Sequence, residues 1–136
     1  MPEAHVFPLR VYYEDTDAGG IVYYANYLRF AERARTEMLR SVGIESSNLM
    51  REDDITLTVK FCQVDYLKAA HLDDALEVHS RIIKVGGASL KGEQVIKCNS
   101  YELVNIQLKM ACMTLDGKPT RLPDKLRSKL NTLCST

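Results

Sequence analysis

The longest helical pattern in the chain runs from Ala25 to Val42, and most of the chain beyond it alternates at the two-residue period of strands. On a helical wheel, Tyr24, Tyr27, Leu28, Ala31, Ala34, Met38 and Val42 fall on one stripe, with Arg29, Arg33, Glu37 and Arg40 on the other side. Gly43 suits the stop, where a left-handed residue is wanted. At 1.5 Å per residue such a helix is about 27 Å long. Arg35 interrupts the stripe near its centre, with Glu32 at the edge. The pair reads as a partly buried ion pair that fixes helix packing, or else as a polar pair beneath a site.

Ahead of the helix, Leu9 to Glu14 reads as a short strand rich in Val and Tyr, ending at the polar loop Asp15 to Gly20. Behind it, Ile55, Leu57, Val59 and Phe61 alternate, and the phase then slips to Val64 and Tyr66, which predicts a bulge near Cys62-Gln63. Leu76 to Val85 and Ala88 to Cys98 are two further strands around the tight-turn signal Gly86-Gly87. Val104, Ile106, Leu108, Met110 and Cys112 give the clearest alternation, which stops before Asp116-Gly117. Pro123 to Leu133 suits a short terminal helix. Strands joined by short turns are antiparallel neighbours. One helix covers one face of such a five-stranded sheet, an α+β arrangement whose other face and edges call for further copies of the chain.

A chain of 136 residues fits one domain, 1–136, large enough for a core without disulfides or metals. The formal net charge of zero leaves no basic footprint for nucleic acid. Met1 to Arg10 lacks the apolar run of a secretion signal, and no segment is long enough to span a membrane. Cys62, Cys98, Cys112 and Cys134 are far apart, without CxxC spacing, and read as buried reduced thiols of a cytoplasmic protein.

Chemistry concentrates between Tyr13 and Tyr27, where carboxylates, two glycines and a helix start adjoin. A helix N-terminus offers unpaired N–H groups and partial positive charge, which stabilise an anion or a developing oxyanion. Gly19 and Gly20 would let a ligand approach the backbone closely. A carboxylate just upstream could attack a carbonyl or activate water there, with no metal or cofactor. On spacing alone, acids in a Gly-rich turn are more often caps and turn formers.

The run RVYYEDTDAGGIVYYANYLRFAERAR, residues 10 to 35, resembles the signature of the 4-hydroxybenzoyl-CoA thioesterase-like hotdog family, and is most similar to the bacterial branch encoded beside the Tol–Pal envelope system. Val64 to Ala70 with Asp73-Asp74, Gly87 to Leu90, Asp116 to Thr120 and Leu122-Pro123 resemble later landmarks in the same order, so the likeness covers nearly the whole chain. It implies a hotdog fold, a curved antiparallel sheet wrapped around one long helix. It also implies a homodimer with active sites at the subunit interface, often assembled into a homotetramer. The implied activity is hydrolysis of acyl-CoA thioesters, with Asp17 as the catalytic acid and the main-chain N–H of Tyr24 polarising the thioester carbonyl. Gly20, Val22 and Tyr23 complete the implied site as substrate contacts. Two positions depart from the branch: Tyr24 stands where histidine is usual, and Ala69 where proline is usual.

Asp15 is expected to order the loop and Glu14 to be a solvated strand-end residue. A solvated Asp titrates near pH 3.9, too low for a strong base at neutral pH, so nucleophilic attack by Asp17 stands level with general-base action. The CoA phosphates want a cation, and Lys60, Lys68, Lys91, Lys118 and Arg121 are unranked candidates. An alternative on the same fold is an acyl-binding or acyl-carrier-protein-interacting protein linked to phospholipid synthesis. His71, Asp73, Asp74 and His79 lie close in sequence but read as turn and strand residues rather than metal ligands. Neither GxSxG nor GxxxxGK[ST] occurs.

Overall fold

The alternation from Val104 to Cys112 marks the middle of the longest strand, β5 (Tyr101–Thr114), whose even-numbered apolar residues over that stretch are all buried. A computed structural model describes residues 3–134. In it β5 joins β1 (His5–Arg10), β2 (Ile55–Tyr66), β3 (Ala75–Val85) and β4 (Ser89–Cys98) in one antiparallel sheet, ordered β1-β3-β4-β5-β2. β3, β4 and β5 form a meander, and β1 and β2 are its edges. Pro8 sits on the β1 edge, where a missing N–H is tolerated.

The long helix α1 (Asn26–Arg40) packs across β1 and β3 and buries Tyr27, Phe30, Ala31, Ala34, Met38 and Leu39. The buried arc is therefore rotated from the sequence stripe. Tyr24 precedes the helix and is 62% exposed, and Leu28 is 41% exposed. The cause is lateral placement: α1 packs chiefly on β1 and β3, with Phe30 and Leu39 in the core and Leu28 left exposed.

Arg35 makes a different contact from the ion pair expected of it. Its Nη1 donates to Gln94 Oε1 at 2.9 Å, and among the described residues it forms no salt bridge with Glu32. Gln94, 2% exposed on the inner face of β4, donates through Nε2 to the Ala31 carbonyl at 2.9 Å and to Ser80 Oγ at 2.8 Å. One buried amide thus ties the middle of α1 to two strands with both ends satisfied, as burial of a polar group requires. Burial pulls the Arg35 guanidinium below its ordinary pKa.

Three other expectations are corrected. β1 ends at Arg10 instead of running to Glu14, because Tyr13–Asp15 closes one turn of 3-10 helix and the Asp15 carboxylate captures the Tyr12 N–H at 2.8 Å. The bulge in β2 falls between Val59 and Phe61, ahead of Cys62-Gln63. Phe61 therefore pairs with Lys109 on the outer face, and Cys62 opposite Leu108 points inward. Cys62 is nonetheless exposed, and only Cys112 of the four free thiols is fully buried. A second helix, α2 (Ser46–Asp53), precedes β2 with Leu49 as its one buried residue. The terminal helix α3 (Asp124–Thr132) buries Leu126 and Leu130 where Pro123 begins it.

The β4–β5 hairpin turns on Asn99 and Ser100, at φ 49° and 74°, between the paired Cys98 and Tyr101. Two successive positive φ values define the type I′ turn, which favours Gly at its second position. Ser100→Gly is expected to raise stability by about 0.5–1 kcal/mol, the left-handed strain relieved less the entropy of the freer unfolded chain. The urea unfolding midpoint should move up, and an unchanged or lower midpoint would show that the turn carries no strain.

Candidate active site

Residues 11–25 leave β1, loop outward and return into α1 at one end of the sheet. Main-chain bonds set this path: Val11 N–H donates to the Asp74 carbonyl at 2.9 Å, Asp17 N–H to Ile21 at 2.9 Å and Tyr23 N–H to Asp15 at 2.9 Å. Asp17 to Gly20 is the tip, closed by Gly20 N–H on the Asp17 carbonyl at 3.1 Å. Gly20 sits at φ +81° with open space around the position of a Cβ. A Cβ on Gly19 would come within 3.2 Å of Asp17 Oδ1. That closeness follows from Gly19 N–H donating to Asp17 Oδ1 at 2.8 Å, a turn in which the Asp side chain caps its own loop. The Asp17 carboxylate is thereby aimed by one donor while the residue stays exposed.

Asp15 does the opposite. At 7% exposure it accepts from Tyr12 N–H through Oδ2 and from Asn26 Nδ2 through Oδ1 at 2.6 Å. The second bond fastens the loop to the first residue of α1. One of the two acids is therefore a structural clasp and the other projects to solvent.

The start of α1 supplies the electrophilic side. Asn26 N–H is taken by the Tyr23 carbonyl at 2.8 Å, whereas among the described residues the Tyr24 N–H donates to no protein acceptor. The Tyr24 carbonyl accepts from Tyr66 Oη at 3.0 Å, and the two rings meet edge to face at 6.2 Å. Tyr23 stacks obliquely on Tyr24 at 4.8 Å, and the adjacent Tyr24 phenol holds the Tyr23 phenol above its ordinary pKa. Val22 is 2% exposed, its side chain in the core and its N–H on the Ala70 carbonyl at 2.9 Å. Of the expected site residues, Asp17, Gly20, Tyr23 and Tyr24 thus share one solvent-facing loop, and Val22 lies beneath it as packing.

Sequence reasoning missed the supports. Tyr66 orients Tyr24 from β2, and Asn26 holds Asp15. Tyr27 accepts the Ala70 N–H at 2.9 Å, and burial keeps its phenol above the usual value. Ile21 bridges His71. The crossover from β2 to β3, residues 67–74, is therefore the second wall of the site. His71 and Asp74 serve as a turn there, with Asp74 Oδ2 accepting the His71 N–H at 2.9 Å. His79 stands apart on the outer sheet face beside Glu77. Two surface depressions of about 550 and 500 Å³ lie elsewhere, one beside Phe7, Arg29 and Arg33 and one beside Leu9, Arg10 and Asn99. Asp17 itself lies open at the surface of the single chain.

Residues 19–104 match the family model of the thioesterase superfamily, a span that begins just after Asp17. The chain is 43% identical over 93% of its length to the acyl-CoA thioesterase YbgC of Haemophilus influenzae, covering 94% of that protein. It is 41% identical to the acyl-CoA thioester hydrolase YbgC of Escherichia coli over 88% of this chain and 90% of that one. A probable thioesterase from Bartonella henselae superimposes with a TM-score of 0.85 at 35% identity, over 88% of this chain and 99% of that one. The 1,4-dihydroxy-2-naphthoyl-CoA thioesterase of Synechocystis shares the fold, with a TM-score of 0.87 at 23% identity over 96% and 97% of the two chains.

Proposed function

Because the chain belongs to the thioesterase superfamily, we propose that it hydrolyses the thioester of acyl-CoA to a free carboxylic acid and CoA. Asp17 acts in one of two ways. As a nucleophile it attacks the thioester carbonyl, the C–S bond breaks, the CoA thiolate leaves, and water hydrolyses the acyl anhydride. As a base it takes a proton from water, which attacks instead, and the proton passes to the leaving sulfur. The oxyanion formed on either route is received by the Tyr24 main-chain N–H at the positive end of α1. The observation that carries this reading is the pairing of an exposed, aimed Asp17 carboxylate with that unengaged N–H on one short loop. Gly20 leaves room for the thioester, and the Tyr23 ring flanks it above the Val22 main chain.

The same reading makes the protein a cytoplasmic homodimer or homotetramer that needs no cofactor. Support for assembly is the free edge of β2, on which Val59 and Tyr66 are exposed, with Leu67 exposed just beyond it. A second copy there would roof the open Asp17 loop. No helix among the described residues is long and apolar enough to cross a membrane. The acyl-carrier-protein partner and the envelope link implied by the Tol–Pal branch belong to this reading as well.

The experiment is turnover of short, long and aromatic acyl-CoA esters and of an acyl carrier protein thioester, followed by loss of thioester absorbance. Hydrolysis of an acyl-CoA is the expected result. Turnover of the carrier-protein thioester alone would reassign the substrate, and no turnover of any would leave a binding role in its place.

A further inference from the structure

A thioester seated at Asp17 leaves the phosphates of CoA some way off along its pantetheine arm, and within one chain the sheet topology places one of the five candidate cations at the site's end of the sheet. Asp17 lies at the end of the sheet where β1 stops, β3 starts and β5 starts. Lys118 and Arg121 follow β5 at the opposite end, beyond Thr114. Lys60 and Lys91 sit past the middle of the sheet, at the level of Lys109, toward that same far end. Lys68 alone of the five candidates stands on the crossover that walls the site, two residues before the Ala70 carbonyl that accepts the Val22 N–H.

Lys68 is also held in place. The N–H groups of Leu67 and Lys68 both donate to the Leu103 carbonyl, at 2.8 and 3.1 Å, and the Lys68 ammonium lies 4.5 Å from the centroid of the Tyr101 ring. A cation over an aromatic face is attracted by the ring quadrupole, so its stem is steadied while its charge stays available. Lys68 is exposed, and among the described residues no carboxylate pairs with it. Arg10, near the same end, is tied down by comparison, donating to the Asp73 carbonyl at 2.8 Å.

We propose that Lys68, steadied by Tyr101, is the residue that binds the phosphate groups of the CoA nucleotide. The proposal rests on Asp17 as the hydrolytic centre, and its test separates the two. CoA and pantetheine, which lacks the nucleotide, are titrated calorimetrically into wild type, Lys68→Ala, Lys68→Arg and Tyr101→Leu. Lys68→Ala should weaken CoA about threefold to tenfold, the range for a solvent-facing charge contact. Pantetheine binding should be unchanged, Lys68→Arg should restore CoA affinity, and Tyr101→Leu should fall between. Rising salt should erode the difference. In turnover, Lys68→Ala should raise KM for acyl-CoA with kcat preserved and leave acyl-pantetheine untouched. Equal CoA affinity in wild type and Lys68→Ala, equal losses for CoA and pantetheine, or no CoA binding by wild type would overturn the assignment. A wild type that hydrolyses nothing yet binds CoA through Lys68 would sink the hydrolytic reading and sustain this one.

Discussion

Asp17→Asn is expected to lower kcat for acyl-CoA hydrolysis by about 10²–10⁴-fold, the usual contribution of a positioned acid–base group, and by no less if the carboxylate is the nucleophile. The substitution is nearly silent otherwise. The amide oxygen still accepts the Gly19 N–H that aims the side chain, and the residue is exposed, so folding stability should stay within about 0.5 kcal/mol of wild type. KM should change little, because the acyl and nucleotide contacts lie elsewhere. The comparison is made on one preparation by steady-state kinetics and urea unfolding. Turnover near the wild-type rate would remove Asp17 from the chemistry, while a large loss of stability would mean the loop depends on its charge.

Asp15→Ala should behave in the contrary way, costing stability and activity together. The Asp15 carboxylate accepts two hydrogen bonds in a buried position, from Tyr12 N–H and Asn26 Nδ2. Bonds to a charged acceptor contribute roughly 1.5–3 kcal/mol each, part of which water recovers at the half-open Tyr12 side, so a net loss of about 2–4 kcal/mol is expected. Activity falls because the Asn26 bond is what fixes the loop against the start of α1, and thus Asp17 against the Tyr24 N–H. Misplacing catalytic groups by even an ångström costs about 10²-fold. Asp15→Asn, which keeps an acceptor for one of the two donors, should recover part of both losses. If Asp15→Ala instead unfolds at the wild-type urea concentration, the clasp is not what orders the loop.

The elements that the sequence made legible are those whose pattern is set by one dominant face. Val104 to Cys112 alternates cleanly because β5 is interior, flanked by β4 and β2, with a buried inner side. α1 was legible for a similar reason, though which arc it buries depended on where it crosses the sheet, and no wheel contains that. Other features were decided by partners remote in sequence. Nothing near Arg35 announces that its acceptor is Gln94, on a strand that lies beyond β2 and β3 in the chain. Val11, Tyr12 and Tyr13 have strand propensity, but a local carboxylate bond diverts the chain. α2 escaped notice because Leu49 is its single anchor, too little for a periodic signal. At the site, the motif pointed to Asp17 and to the main chain of Tyr24. The clasp at Asn26 and the brace at Tyr66 were hidden because they are contacts across elements.

The strand order has a kinetic consequence. β3, β4 and β5 are consecutive hairpins, with short loops to close, whereas β1 and β2 must each be brought to the meander across an intervening helix or strand. Local contacts form early and distant ones late, since loop closure costs entropy before pairing returns it. Both walls of the site hang from the late arrivals: the Asp17 loop continues β1, and the 67–74 crossover continues β2. Native-state hydrogen exchange should accordingly find the slowest amides in β4 and the adjoining halves of β3 and β5, with β1 and the Asp17 loop opening at lower free energy. Uniform protection across all five strands would contradict this. A meander that persists while its edges detach would be a folded protein with no site, so inactivation should precede loss of structure as the molecule is heated.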